Sequence, residues 1–366
     1  MRHWALSGFV VATIMAFPGV SVFAIPYTIT DIGTLGGISS SARGINNSGR
    51  VVGSAQTSGG TYHAISWQSG VMHDLGTLPG TTSSYGLAIS SAGSVVGYSV
   101  TAAGEKRGFL HGGASMTYLG TLGGTSSEAY SINDVSQVVG YSVASTGYNH
   151  AFVWQQGLMQ DLGIFPGGRT SYALAINDSS QVVGYADVLV GSTVYPHAVL
   201  WENSTMRDLG TLGGPSSQAW FSAARGINNL GQVVGEAHAA NLETHPFLWE
   251  NDVMRDLGTL GGQFGRANGM NTLGQIVGKS TTPGEYGRAF IWQNGVMEDL
   301  NDLIPAGSGW TLAEAYAIND GGQIAVYGYS GAVARGFLLT PIPEPSSILS
   351  LGAGLLGLCG ILRRRK

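Results

Sequence analysis

Gly44-Ile45-Asn46-Asn47-Ser48-Gly49-Arg50-Val51-Val52-Gly53 is the stretch that decides the fold, because variants of it occur seven times in 366 residues. Upstream stands a second signature, Asp31-Ile32-Gly33-Thr34-Leu35-Gly36-Gly37. It returns as Asp74-Leu75-Gly76-Thr77-Leu78-Pro79-Gly80, then from Leu119, Leu162, Leu209 and Leu257, and in a degenerate form at Leu300. The period is about 43 to 51 residues. Self-similarity at that spacing means supersecondary units that are stacked or set around an axis.

The copy from Ala129 to Gly163 shows what one unit builds. Tyr130-Ser131-Ile132 reads as a short strand and Asn133-Asp134-Val135-Ser136 as a turn. Gln137 to Ser142 is β-branched and reads as a second strand. His150-Ala151-Phe152-Val153-Trp154 gives a third, and Gln155-Gln156-Gly157 turns into a fourth, Leu158 to Leu162. No segment is patterned as a helix. A four-stranded sheet of this size cannot bury both faces alone, and a radial array of such sheets buries them against one another. The pattern therefore predicts an all-β β-propeller, a class of four to eight blades. The third-strand signature opens with His63, Arg107, His150, His197, His245, Arg288 and Arg335. The last copy lacks a fourth strand, whereas Tyr27 to Ile32 is a fourth strand without a blade. Seven four-stranded antiparallel blades follow, over residues 25–340, with the N-terminal strand completing the last. An open solenoid would instead leave edges that need caps, and no atypical capping repeat is visible.

The two ends read as addresses. Residues 1–24 carry Arg2, an apolar run from Leu6 to Phe17 and the small-residue ending Val22-Phe23-Ala24, the pattern of a secretory signal peptide. The run is short of the roughly 20 residues that a membrane span needs. Residues 341–366 contain Pro343-Glu344-Pro345, an apolar run over 348–362, and Arg363-Arg364-Arg365-Lys366. This order closely resembles the PEP-CTERM sorting signal. The resemblance implies an exosortase-type processing protease as partner, cleavage near Pro343 to Pro345, and release or attachment outside the inner membrane. Terminal cations hold that end in the cytoplasm. Fifteen helical residues reach only about 22 Å, which suits a transient stay in the inner membrane better than a permanent tail anchor.

Without Arg2, the four terminal cations and Glu344, the 17 cations and 22 acids of the chain become 12 and 21 over residues 25–343, a net charge of −9. An acidic body argues against nucleic acid as a partner. The single cysteine, Cys359, lies in the tail, so the body has no disulfide to lean on.

At His63-Ala64-Ile65, His150-Ala151-Phe152 and His197-Ala198-Val199 the chain resembles the HAF family of extracellular repeats, over nearly all of residues 27–340. The resemblance implies secretion and a repeat fold, and it supplies no catalytic residues. Two places depart from the pattern. Leu110-His111 replaces an aliphatic-Trp pair, and Asn301-Asp302-Leu303-Ile304 replaces the Gly-Thr-Leu-Gly loop.

Four groups of residues invite a functional reading. Six of the seven cationic third-strand residues have a partner 11 positions on, five of them an aspartate: His63 with Asp74, His150 with Asp161, His197 with Asp208, His245 with Asp256, and Arg288 with Asp299. Arg107 meets Tyr118 instead, and Arg335 meets Asp31 across the closure. A ring of imidazoles could bind metal or act as bases. Repetition in every blade favours a structural clamp between strands three and four. The Asn46-Asn47, Asn133-Asp134, Asn177-Asp178, Asn228-Asn229 and Asn319-Asp320 pairs read as turn chemistry, since no calcium loop motif is present. Trp67, Trp154, Trp201, Trp249 and Trp292 sit inside third strands and are expected to pack between blades. Trp220, Phe221, Trp310, Tyr148 and Tyr195 fall on loops or in lengthened repeats, where aromatics make stacking platforms for sugar rings.

Catalytic motifs are missing from the sequence: no Gly-x-Ser-x-Gly elbow, no His-Glu-x-x-His, no phosphate loop. Glu128, Glu236, Glu243 and Glu314 are scattered along the chain and do not announce a glycosidase pair. The expectation is a secreted surface or matrix protein with no cofactor or metal. It would bind extracellular polysaccharide through one face of the disc. The alternative is a carbohydrate-active enzyme on the same scaffold, which should break the seven-fold equivalence along the channel. Trp310 to Tyr316 is the one stretch that hints at such asymmetry.

Overall fold

The computed structural model describes residues 25–213, 220–284 and 286–343. The signal segment, Glu344, Pro345, the apolar run 348–362 and the terminal Arg363, Arg364 and Arg365 lie outside the described residues. Among the described residues no helix is long and apolar enough to cross a membrane.

Seven four-stranded antiparallel sheets surround one axis, so the molecule is a seven-bladed β-propeller. Six blades are built from consecutive strands. The seventh takes Thr311–Ile318, Ile324–Ser330 and Val333–Pro341 from the end of the chain and Tyr27–Asp31 from its beginning. Tyr27 lies opposite Pro341 and Asp31 opposite Phe337. The seam is reinforced beyond the ladder, because the Ile342 N–H donates to the Pro26 carbonyl at 2.8 Å.

The core lies between blades. Phe109, Phe152, Phe247, Phe290 and Phe337, one in the third strand of each of five blades, are at most 1% exposed. Ile65 and Val199 fill the same place in the other two. Each such side chain stabilises by about 1.5–3 kcal/mol on burial, and each apolar cluster draws on two neighbouring blades, as where Val96 of blade 2 meets Phe152 of blade 3. Trp67, Trp201, Trp249 and Trp292 are buried beside them. No blade could keep these residues dry alone.

Two features depart from the sequence reading. The inner strand of blade 3 spans Gly123–Ile132, far longer than Tyr130 to Ile132. Its polar start looks like a loop, yet its serine is an inter-blade connector. Ser127 Oγ accepts the Gly108 N–H at 3.1 Å and donates to the Gly120 carbonyl at 2.8 Å. Ser84, Ser171 and Ser222 make the same two bonds in blades 2, 4 and 5. At the entry to blade 7 a short 3-10 helix, Leu300–Asp302, takes the place of the Gly-Thr-Leu-Gly loop, and the ring stays closed.

Every inner strand also carries a β-bulge at one place. The register slips between Ala42 and Gly44, Gly86 and Ala88, Ala129 and Ser131, and at the matching positions of the other four blades. The bulge throws a backbone carbonyl toward the second strand, which explains the Gly of Val-Val-Gly. A Cβ on Gly53 would lie 1.8 Å from the Ser41 carbonyl oxygen, and one on Gly140 would lie 1.9 Å from that of Glu128. Glycine alone fits at this position in six blades. Blade 7, whose inner strand has a further register shift between Leu312 and Glu314, carries Val326 there.

Candidate functional site in the lumen

The seven inner strands line a central channel, and two rings of side chains follow each other along it. At the end where the first strand turns into the second stands an asparagine belt: Asn46, Asn133, Asn177, Asn228, Asn271 and Asn319, with Ser90 in blade 2. All seven are buried. Asn177 shows the arrangement. Its Oδ1 accepts the Ser179 and Gln181 N–H groups, which is the turn role read from sequence. Its Nδ2 donates to Gln181 Oε1 at 2.6 Å and to the Asn228 carbonyl of the next blade at 3.1 Å. Asn46, Asn133, Asn228, Asn271 and Asn319 make the same step to the next blade. The belt is thus an inter-blade seam as well as a set of turns.

The following residues form an outer rim of the same design. Asp134 accepts the Ser91 N–H, and Asp178 and Asn229 exchange bonds across their blades. Burial works against the Asp320 charge, but bonds from the Thr272 hydroxyl and amide and from Asn47 hold this carboxyl below its usual range. These oxygens are spent on neighbouring backbone. Among the described residues no group of three His, Cys, Asp or Glu side chains is placed to hold a metal ion. The space inside this mouth is about 260 Å³.

Three residues before the belt, about 10 Å deeper, lies the residue that each bulge displaces. A bulge re-aims one side chain, and here it aims all seven into the lumen: Arg43, Leu87, Tyr130, Leu174, Arg225, Asn268 and Tyr316. Together with Tyr185, Arg266 and Glu314 they enclose a chamber of about 390 Å³. The flanking residues are small and repeated, and the belt is repeated, yet this position differs from blade to blade. The asymmetry expected only at Trp310 to Tyr316 runs around the whole lumen.

Three of the scattered acids are buried, Glu314 in the chamber wall and Glu128 and Glu236 beside residues of the inner strands. Glu314 accepts from Arg266 Nη2 at 2.6 Å and Asn268 Nδ2 at 2.8 Å. Glu236 accepts from Arg225 Nε at 2.8 Å and Nη2 at 2.5 Å. Glu128 is paired with Lys106 Nζ at 2.5 Å and with the Tyr141 hydroxyl. Each carboxylate therefore has a cation of its own. Glu243 is elsewhere, beside His245 and Asn241. Burial pushes the Tyr316 phenol up to about 12, against the pull of Arg43. Burial followed by the Glu128 charge drives the Tyr130 phenol higher still. The chamber thus presents neutral phenols, satisfied ion pairs and one further cation. Arg43 lies 4.0 Å over the Tyr316 ring and has no ion-pair partner among the described residues.

At the opposite, loop face the cationic third-strand residues sit against their aspartates. Nδ1 to Oδ2 distances are 2.9 Å for His63–Asp74, 2.7 Å for His150–Asp161, 3.0 Å for His197–Asp208 and 2.7 Å for His245–Asp256. Arg335 Nε is 3.5 Å from Asp31, and Arg288 Nε is 3.9 Å from Asp299. The pairs are diagonal: Asp161 lies directly opposite Phe152, two residues beyond His150. Each aspartate has a second task that the sequence reading missed. Asp161 Oδ1 accepts the Gly163 N–H at 2.7 Å, and Gly163 has φ of +83°. The Asp-x-Gly of five loops is an Asx turn, and Asp299 accepts the Asn301 N–H in the same way. Arg107 lies over the Tyr118 ring at 5.9 Å.

The loop aromatics divide. Trp220, 42% exposed, stacks on Tyr195 with centroids 5.6 Å apart and planes 17° from parallel. Tyr148 is exposed, with the Arg169 guanidinium 5.6 Å from its ring. Phe221 tilts against His238. Trp310 turns inward, edge-on to Phe337 at 4.9 Å, and packs on the core between blades 6 and 7.

Residues 341–366 match the PEP-CTERM protein-sorting motif, so this is an extracellularly sorted protein on a propeller scaffold. No curated protein matches the chain significantly. Among solved structures it is similar to the β-propeller domain of the Trilobed protease from Pyrococcus furiosus. That match has 8% identity and a TM-score of 0.52, covering 88% of this chain and 97% of the other. It is also similar to YCF48 bound to D1 peptide, at 10% identity and a TM-score of 0.50, covering 88% and 99%. The first is described as having an open velcro topology, whereas here the two chain ends are paired.

Proposed function

We propose that the mature protein is a non-catalytic binder of extracellular polysaccharide, delivered by its sorting signal and engaging polymer through the loop face. The observation that carries this reading is the Tyr195–Trp220 stack, a flat and accessible aromatic surface; Tyr195 is not on a loop as the sequence suggested but in the strand Thr193–Glu202, opposite Val188, because the hairpin of blade 4 is longer than its repeat pattern. Such surfaces take up the apolar faces of sugar rings with little loss of side-chain freedom. Phe221 beside it and Tyr148 further round the same face extend the platform. The likeness of the third-strand signature to HAF extracellular repeats agrees with it. The rival reading, hydrolysis by channel carboxylates, needs one carboxyl group kept protonated and a second one free. Glu128, Glu236 and Glu314 are each bound by a cation instead.

The His/Arg–Asp pairs serve in this reading as strand clamps, and an exosortase-type protease is the processing partner. Pro343 is exposed two residues beyond the last ladder pair at Pro341, within reach of such an enzyme. A glycan and exopolysaccharide screen on residues 25–343, scoring retention and breakdown products separately, tests the proposal. Retention without breakdown is expected, with Trp220→Ala lowering it roughly ten-fold and leaving the melting temperature in place. Breakdown products would overturn the reading in favour of an enzyme.

A further inference from the structure

The chamber beneath the asparagine belt is unaccounted for by binding at the loop face. We propose that it is a second binding site, selective for a hexuronate-class sugar acid, with the Arg43 guanidinium meeting the ligand carboxylate. The inference goes beyond polymer binding at the loops and stands on separate observations.

The first observation is where the symmetry fails. Seven bulges aim seven side chains into one chamber. Arg225 and Asn268 are spent on buried carboxylates, while Arg43, Leu87 and Leu174 are not tied to the blades by any side-chain hydrogen bond among the described residues. The small residues on either side and the belt beyond already satisfy the blades. A position whose side chain varies from blade to blade while its backbone shape is repeated is where ligand recognition can be written. The second is charge. The other arginines bordering the chamber are matched, Arg225 by Glu236 and Arg266 by Glu314, with Nη2–Oε1 distances of 2.5 and 2.6 Å. Arg43 is held only by the face of Tyr316, is open to the lumen, and keeps all its N–H donors for an incoming group. Planar guanidinium and planar carboxylate fit each other through two parallel bonds.

The remaining lining matches the rest of a sugar acid. Tyr130 and Tyr316 stay protonated across any working pH. The Tyr316 hydroxyl donates to Glu314 Oε2 at 3.1 Å, which leaves its oxygen to accept from a sugar hydroxyl. Asn268 spends its N–H groups on Glu314 and the Ala315 carbonyl, leaving its oxygen to accept. Leu87 and Leu174 provide an apolar patch for a ring face. A volume of about 390 Å³ is in the range of small-ligand pockets. A fully anionic, non-sugar ligand would leave this patch and the phenols idle.

Titration calorimetry of residues 25–343 with glucuronate, galacturonate and glucose tests the site. The expected result is saturable uronate binding at least ten-fold tighter than glucose, weakened by salt. Arg43→Gln should remove the preference and Arg43→Lys should keep part of it. Because Arg43 also touches Tyr316, Leu174→Phe is the second variant. It fills the lumen from another blade and should abolish uronate binding while the denaturant midpoint holds. Equal affinity for glucose and uronate, uronate binding unchanged in both Arg43→Gln and Leu174→Phe, or no binding of either uronate would overturn the proposal. The probes are monosaccharides, so the result is independent of polymer retention at the loop face.

Discussion

The asparagine belt and the bulge ring lie three residues apart on the same seven strands, and they could hardly differ more. The belt repeats one residue in six blades, spending its oxygen on its own turn and an amide N–H on the next blade. The bulge ring repeats a backbone shape and varies the side chain: Arg, Leu, Tyr, Leu, Arg, Asn, Tyr. In a repeat protein, chemistry copied into every unit answers a need that every unit has, which is closure. Chemistry that varies at a copied position answers a need that the whole ring has once. The difference separates architecture from recognition without reference to any relative.

The comparison breaks if the belt proves dispensable. Asn177→Ala removes the two turn bonds and the inter-blade bond and strands buried partners, so unfolding stability should fall by about 2–3 kcal/mol. A urea midpoint close to wild type would mean that the blades are held by apolar packing alone. The clamp is a milder case of copied chemistry, because its aspartates are partly open to solvent. Asp161→Ala should cost about 1–2 kcal/mol through loss of the His150 bond and the Asx turn at Gly163. The same urea series ranks the two.

Acidity sharpens the contrast within blade 5. The hydrogen bond to Asp256, opposed by burial and helped by Glu243, raises the His245 imidazole above its ordinary value. Burial lowers that of His238, against the Glu236 charge. The His245 contribution is fully present below the unfolded-state value and fades as pH rises through its raised value. The His238 contribution is present above the unfolded-state value and fades as pH falls through its lowered one. Ring-proton NMR should place the two midpoints on opposite sides of about 6.5, and coincident midpoints would remove the clamp's electrostatic role. The smallest effect is expected at the bulge ring. Arg43→Gln loses one cation–π contact and should shift stability by no more than about 1 kcal/mol, far less than the belt variant.

Much of this architecture was legible in the chain. Five Val-Val-Gly strands and two variants of them, seven cationic third strands, an orphan strand at the N-terminal side and a last copy short of one suffice for a closed seven-bladed ring. What stayed hidden was whatever depends on register. The serines of Thr125 to Ser127 look like a loop because their partners, Gly108 and Gly120, belong to other elements. Glu314 looks isolated because radial closure, not sequence distance, brings it beside Arg266 and Asn268 of the neighbouring blade. Trp310 looks like a surface aromatic because its insertion hides the Phe337 contact. The bulge ring did leave a signal. Between a repeated small residue and a repeated small-Ile-Asn stands one position that changes in nearly every copy.

The seam between Pro26 and Ile342 has a meaning for the polypeptide as a thread. Six blades join their third and fourth strands through a covalent turn. The seventh does so through hydrogen bonds alone. The position of the break is therefore arbitrary as far as the disc is concerned. Splicing that gap with an Asn-Gly hairpin and cutting the turn of another blade should yield a circular permutant with the same rings. In such a permutant the exported strand that now waits for the whole chain would find its neighbour at once.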